Sequence, residues 1–268
     1  MPDTSSFSCT LITGASAGLG EEFASQIASR TGKLVLVARR EVLLHQLADR
    51  LRAEHPGLVV AAFAADLRNV SERDRLLEVL SADGFSPDLL INNAGLGDYG
   101  EFVSSDWEKL SSMLQVNIEA LTQLTHAFAP QMIARGRGSI VNVSSLASVI
   151  PIPDFAVYAA TKAYVTSFSE ALRIELREHG IRVLAVCPGP VRTEFGEVAR
   201  RDVKSPGMPA KKSFYVPKEQ VVAESLAALD RSAARVYPAL KTAIAARILS
   251  ATPLFLLRLV MGFRPRRS

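Results

Sequence analysis

Short runs of Val, Ile, Leu and Ala alternate along this chain with longer stretches in which apolar residues recur every three or four positions. The runs at 9–13, 34–38, 59–63, 89–91, 139–144 and 182–187 are short and nearly continuous in apolar character, as strands covered on both faces must be. The stretches 20–29, 41–54, 71–80, 107–135 and 157–179 carry helical periodicity. Strand and helix in strict alternation call for right-handed βαβ crossovers, which predict an α/β fold built on a doubly wound parallel sheet with helices on both faces.

No internal repeat, low-complexity tract or Pro/Gly linker divides the 268 residues, so a single domain over 1–268 is expected. With 48% hydrophobic and 22% charged residues, the chain can bury one large core. The most irregular segment, 188–217, follows the sixth strand and holds five prolines with Gly189, Gly196 and Gly207. Ligands in open α/β sheets sit beyond the carboxyl ends of strands, so this segment is placed to close over a substrate; a loop without that role is the alternative.

The formal charge of +4 comes from basic residues interspersed with acids, which describes a solvated surface and not a nucleic-acid footprint. Cys9 and Cys187 lie inside apolar runs, as core residues do, and neither a disulfide nor a metal site is expected. No charged leader or cleavage site precedes the first apolar run, and a cytoplasmic protein is the expectation. The segment 251–268, ATPLFLLRLVMGFRPRRS, is too short and too interrupted by Arg258 to span a bilayer. It reads first as a final helix over the substrate cleft or a subunit contact, and second as a basic amphipathic helix on a membrane surface.

Three places carry candidate chemistry. The loop Thr13-Gly14-Ala15-Ser16-Ala17-Gly18-Leu19-Gly20 joins the first strand to the first helix, where glycines let backbone approach a pyrophosphate and a helix N-terminus offers unpaired N–H groups. The second strand is followed by Arg39-Arg40, at the position where a site for NAD would put a carboxylate on the ribose 2′-hydroxyl; a guanidinium there suits the extra phosphate of NADP. A surface helix opened by an Arg pair, one of them meeting Glu41, is the plainer reading.

Tyr158 and Lys162, four residues apart, share one helix face. A cation close to the phenol would bring its pKa from about 10 toward neutral pH, where it can exchange a proton with a carbonyl or an alcohol. Alone, the pair also fits an aromatic packing residue and a solvated lysine. Ser145 ends the fifth strand at the sheet's carboxyl edge, where a hydroxyl could orient a substrate oxygen; a cap role fits Ser144 and Ser148 better than Ser145. Phe195, Met208, Phe214 and Tyr215, with Ile150, Ile152 and Phe155, suggest an apolar pocket, although all of them could be core.

Together these motifs resemble the short-chain dehydrogenase/reductase family in its compact form, from about residue 9 to 193. TGASAGLG resembles its cofactor loop, Asn92-Asn93-Ala94-Gly95 its NNAG segment, YAATK its Tyr-x-x-x-Lys, and Pro188-Gly189-Pro190-Val191-Arg192-Thr193 its segment after the sixth strand. The resemblance implies a Rossmann-like fold and hydride transfer between NADP(H), with NAD(H) less favoured, and a carbonyl or secondary alcohol. It implies a catalytic set of Ser145, Tyr158, Lys162 and Asn117, with Ser145 and Tyr158 on the substrate oxygen. Asn117 would hold a helix and a water, and Lys162 would also bond the nicotinamide ribose. Cofactor contacts would come from Gly14, Ser16, Ala17, Gly18, Leu19, Gly20, Arg39 and Arg40. Asp66 and Leu67 would meet the adenine; Asn93, Ala94 and Gly95 the adenosine side; Pro188, Gly189, Val191 and Thr193 the nicotinamide side. A homodimer or homotetramer on the two long helices is implied as well. A cofactor-sensing interaction protein without turnover is the rival from another class.

Overall fold

The computed structural model describes residues 6–201 and 212–262; Met208, Lys211 and the basic tail Arg264, Arg266 and Arg267 lie outside them. Seven parallel strands form one sheet: β1 (Phe7–Thr13), β2 (Thr31–Ala38), β3 (Val59–Ala64), β4 (Leu89–Asn92), β5 (Gly138–Val143), β6 (Ile181–Val186) and β7 (Arg235–Val236), in the order β3-β2-β1-β4-β5-β6-β7. The first connections lead outward to one side of β1 and the later ones to the other. The order therefore reverses between β1 and β4, which is the doubly wound arrangement the alternating pattern predicts.

Strand alternation splits the core into two. Ile12, Leu34, Leu36, Leu89, Ile91, Val141 and Leu184 face α1 (Gly18–Ile27) and α2 (Glu41–Glu54). Their strand neighbours Leu11, Val35, Val37, Leu90, Ile140 and Val183 face α3 (Val70–Ala82), α5 (Leu121–Ala134) and α6 (Ala156–Leu176); α4 (Trp107–Leu114) lies between α3 and α5 in the chain. Period-2 geometry requires both faces to be apolar when helices cover both, and this is why the strands read as unbroken apolar runs. α8 (Lys218–Asp230) adds Val222, Leu226 and Leu229 to the first face, after the single turn α7 (Phe195–Val198).

The structure departs from the periodic pattern in three places. The stretch 107–135 is not one regular helix: α4 passes into a π-helical turn over Gln115–Ala120 before α5. β7 is two residues long, too short to leave a hydrophobic signature, and it pairs with Ala185 and Val186 at the sheet's edge. The last segment bends: α9 (Leu240–Ala251) and α10 (Leu254–Gly262) meet at 104°. Cys9 and Cys187 are free and buried as expected, and burial, aided by Asp88, pushes the Cys9 thiol up to about 11.

Asp88 fixes where β1 enters the sheet. Its carboxylate accepts the backbone N–H groups of Ser8 at 3.0 Å and Cys9 at 2.9 Å, and its own N–H donates to the Cys9 carbonyl at 2.9 Å. Replacing Asp88 with Ala leaves the buried Cys9 amide without an acceptor. Unfolding in urea should show a loss of about 1–3 kcal/mol with an unchanged m value; a loss under about 0.5 kcal/mol would show that β1 is held by the ladder alone.

Candidate active site

A cavity of about 1160 Å³ lies along the carboxyl ends of β1, β2, β4, β5 and β6, at the switch between β1 and β4. It is lined toward one end by Gly14, Ser16, Ala17, Gly18, Leu19, Arg39, Arg40, Asp66, Leu67, Asn93 and Ala94. Toward the other are Ser145, Tyr158, Lys162, Pro188, Gly189 and Val191, with Gly95 beside Lys162 and Thr193 beside Gly18. Asn117 stands immediately behind this lining, 1% exposed.

The glycine loop is a fitted cradle. Gly14 has φ of +67°, and a Cβ there would sit 2.9 Å from the Cα of Ala94; a Cβ at Gly20 would fall 2.2 Å from the Gly14 carbonyl oxygen. Only hydrogen fits at either place. Ala17 precedes α1 and supplies no side-chain cap, so the first N–H groups of a ten-residue helix remain available to an anion. The donor chemistry and the missing side chains both suit a dinucleotide pyrophosphate.

The loop is tied to the end of β4 through Thr13 and Asn93. The Thr13 hydroxyl accepts the N–H groups of Asn93 and Ala94, each at 3.0 Å, and the Asn93 side-chain amide donates to the carbonyls of Thr13 at 2.9 Å and Gly14 at 3.3 Å. Asn93 therefore spends its amide on holding the loop. Asp66 is likewise engaged: hydrogen bonds from Arg68 hold its carboxyl below the usual range.

The Arg pair divides its roles. Arg40 pairs with Glu194 at 2.8 Å and donates to the Ser16 hydroxyl at 3.2 Å, while Glu41 reaches His45 instead. Arg39 is exposed at the cavity wall beside Asp66, and none of the ion pairs among the described residues involves it.

At the far end, Lys162 is 4% exposed and donates to the Val143 carbonyl at 2.8 Å. Its ammonium lies 5.7 Å from the centre of the Tyr158 ring. Asn117, in the π turn, is bonded in both directions to the backbone of Leu96: its Oδ1 accepts the N–H at 2.8 Å and its Nδ2 donates to the carbonyl at 3.0 Å. The same Nδ2 lies 3.0 Å from the hydroxyl of Thr161, which donates to the Tyr158 carbonyl at 2.8 Å. A π turn aims one side chain out of helical register, and here it is the side chain that joins β4's loop to α6.

Two expectations are corrected. The Tyr158 phenol is not brought toward neutrality: burial pushes it up to about 12, against partial lowering by a hydrogen bond with Ser145. The same burial pushes Lys162 down to about 8. Desolvation thus outweighs the attraction expected between them, because each group loses water and Lys162 spends its charge on a carbonyl. The second correction concerns the serines. Ser145 does cap a turn, accepting the Ala147 N–H at 3.1 Å, whereas Ser144 donates to the Lys162 carbonyl at 2.8 Å and Ser148 has no partner for its hydroxyl.

Four features escape a reading by spacing. Thr161 sits inside the Tyr-x-x-x-Lys stretch but is legible only through its contacts. Tyr99 joins Phe155 and Phe195 around the phenol: Phe155 stacks on Tyr158 at 4.2 Å between ring centres, and Phe195 lies at 5.5 Å. Leu249 and Met261 bring α9 and α10 to the cavity wall. Asp98, buried, binds Arg201 at 2.7 Å and Lys109 at 3.3 Å, and so holds the end of the segment that carries Phe195. Burial opposes the Asp98 charge, yet Arg201 and Ser105 keep its carboxyl below the usual range. No short spacing could link residues 103 positions apart.

Comparison with known proteins agrees with this geometry. The family model for short chain dehydrogenase matches residues 8–204. A short-chain dehydrogenase from Sphingobium yanoikuyae, solved in complex with NADPH, superposes with a TM-score of 0.80 at 35% identity, covering 97% of this chain and 98% of that one. A bulky-bulky ketone specific alcohol dehydrogenase from Comamonas testosteroni gives 0.77 at 31% identity, covering 97% and 96%. A very-long-chain 3-oxoacyl-CoA reductase of Podospora anserina is 35% identical over 201 residues, 74% of this chain but only 58% of that protein. With its glycine cradle, its NNAG clasp and a Tyr-Lys helix face on one cavity, the chain belongs to the short-chain dehydrogenase family.

Proposed function

We propose that this oxidoreductase reduces bulky, largely apolar ketones with NADPH and oxidises the corresponding secondary alcohols in reverse. One observation carries the reading: a single cavity holds an anion cradle with a free Arg39 at one end and Tyr158, Ser145 and Lys162 under an aromatic roof at the other. The NADPH complex of the Sphingobium relative, the bulky-bulky ketones named for the Comamonas relative and the very-long-chain 3-oxoacyl-CoA named for the Podospora relative support it.

NADPH, when bound, supplies a hydride from the nicotinamide C4. The residues of the chain do the rest. With its pKa at about 12, Tyr158 is protonated at neutral pH and serves as the acid that gives its proton to the carbonyl oxygen. Ser145, hydrogen-bonded to the phenol, orients that oxygen. Lys162 is a cation below about pH 8 and stabilises the negative charge left on Tyr158 after transfer. Asn117 and Thr161 hold the backbone of Tyr158 to the loop of Leu96. Ile150, Ile152, Phe155, Phe195, Phe214 and Leu249 give the cavity a large apolar wall on which a bulky apolar group could rest. The exposed residues Trp107 on α4 and Tyr164 and Ile174 on α6 support a homo-oligomer built on these helices.

A panel of aromatic and long-chain ketones offered with NADPH tests the activity itself; no NADPH consumption with any of them would favour a cofactor-sensing role. Tyr158→Phe should keep NADPH affinity and lower kcat by at least ~10²-fold, the loss of a general acid; near-normal turnover would remove Tyr158 from the mechanism. Arg39→Ala should weaken NADPH binding about tenfold to a hundredfold, the range of one charge-assisted hydrogen bond, and leave NADH binding nearly unchanged, measured by calorimetric titration. Equal loss for both cofactors would assign the 2′-phosphate elsewhere. For ketone reduction, kcat/KM should fall as pH rises through about 8, where Lys162 loses its proton, well before the phenol titrates. A rate that stays flat to pH 10 would separate Lys162 from the proton step.

A further inference from the structure

We propose that the outer face of α9 and α10 docks this protein on an anionic lipid surface. α9 is amphipathic in the reverse of the usual sense, and α10 is apolar nearly all round. In α9, Thr242 and Ala246 are buried and Leu249 reaches the cavity wall, while Leu240, Ile244 and Ile248 form an i, i+4, i+8 stripe on the opposite, exposed face. In α10 no residue is buried; Met261 reaches the cavity, and Phe255, Leu259 and Val260 are 57–70% exposed. An apolar surface this continuous on a soluble face marks an interaction site.

Charge identifies the occupant. From residue 231 to 268 the sequence has eight Lys and Arg residues and no Asp or Glu, so residues 1–230 hold 23 basic against 27 acidic residues. The whole chain's mild excess of positive charge is therefore concentrated at one end. At 100° per residue, Lys241 and Arg247 flank the α9 stripe on its two sides, and Arg258 is exposed on α10. Apolar side chains with cations at their borders match the acyl and headgroup layers of an anionic leaflet. A second copy of the chain fits less well, since an isologous contact would press each cationic border onto its own like. In this docking the helices lie on the surface: no single helix among the described residues is long and apolar enough to cross a membrane, and α9 and α10, which reach that length and apolarity only together, are bent by 104°.

Sedimentation of the full chain with vesicles tests this at low ionic strength. Binding to equimolar phosphatidylcholine and phosphatidylglycerol should exceed binding to phosphatidylcholine alone by at least about tenfold, since several cations lie near the surface. The double variant Ile248→Glu, Phe255→Glu should lose at least about tenfold of that binding while keeping its melting temperature and NADPH affinity. Arg247→Gln with Arg258→Gln, which leaves the apolar face intact, should bind the two vesicle types more equally than the wild type does. No sedimentation with anionic vesicles, or equal sedimentation of the Glu variant, would overturn the proposal. A wild type that ignores vesicles but self-associates, and a Glu variant that is monomeric, would assign the face to a second copy.

Discussion

The site rests on one clasp, between the end of β1 and the end of β4. These strands are neighbours whose chains leave the sheet in opposite directions, so a crevice opens between their carboxyl ends. Thr13 and Asn93 close its floor with side-chain hydrogen bonds to each other's backbone. Without them the glycine loop would be free to move, since glycines at positive φ leave its backbone little intrinsic preference. The clasp sets Gly14 against Ala94 and Gly20 against Gly14 so closely that no side chain fits. Pre-organisation at this point fixes where an anion can sit, and the reacting end of the cavity is placed relative to it by the sheet.

The reacting end is held by a second chain of contacts, from Leu96 through Asn117 and Thr161 to the backbone of Tyr158. Its electrostatics follow from burial. Loss of water favours the uncharged form of both Tyr158 and Lys162, moving the phenol's pKa upward and the amine's downward. The consequence is a phenol that keeps its proton over the physiological range beside an amine that loses its charge just above it. The aromatic groups that cause the desolvation, Phe155 and Phe195, also form the roof an apolar substrate would meet.

The final helices join these themes to the exterior. Leu249 and Met261 face the cavity, while Ile248 and Val260, next to them in sequence, face outward. A helix turns by about 100° per residue, so a segment apolar all round can line a pocket and present an apolar surface at once. The expectation of a helix over the cleft accounts for one face of this segment only.

Local chemistry made most of the architecture legible. Apolar runs covered on two faces, helical periodicity, and glycines at a strand end each reflect forces acting within a few residues, so strand and helix alternation, the cradle, and the Tyr-Lys face could be read directly. What the chain could not reveal by itself depends on contacts between distant residues. The π turn that aims Asn117, the reach of Arg201 to Asp98 and the arrival of Met261 at the cavity are all consequences of packing. So are the pKa values of Tyr158 and Lys162, because desolvation depends on what surrounds a group in space and not on its neighbours along the chain. The split between Arg39 and Arg40 has the same origin: adjacent and chemically identical, they differ because Glu194, 154 positions away from Arg40, arrives beside only one of them.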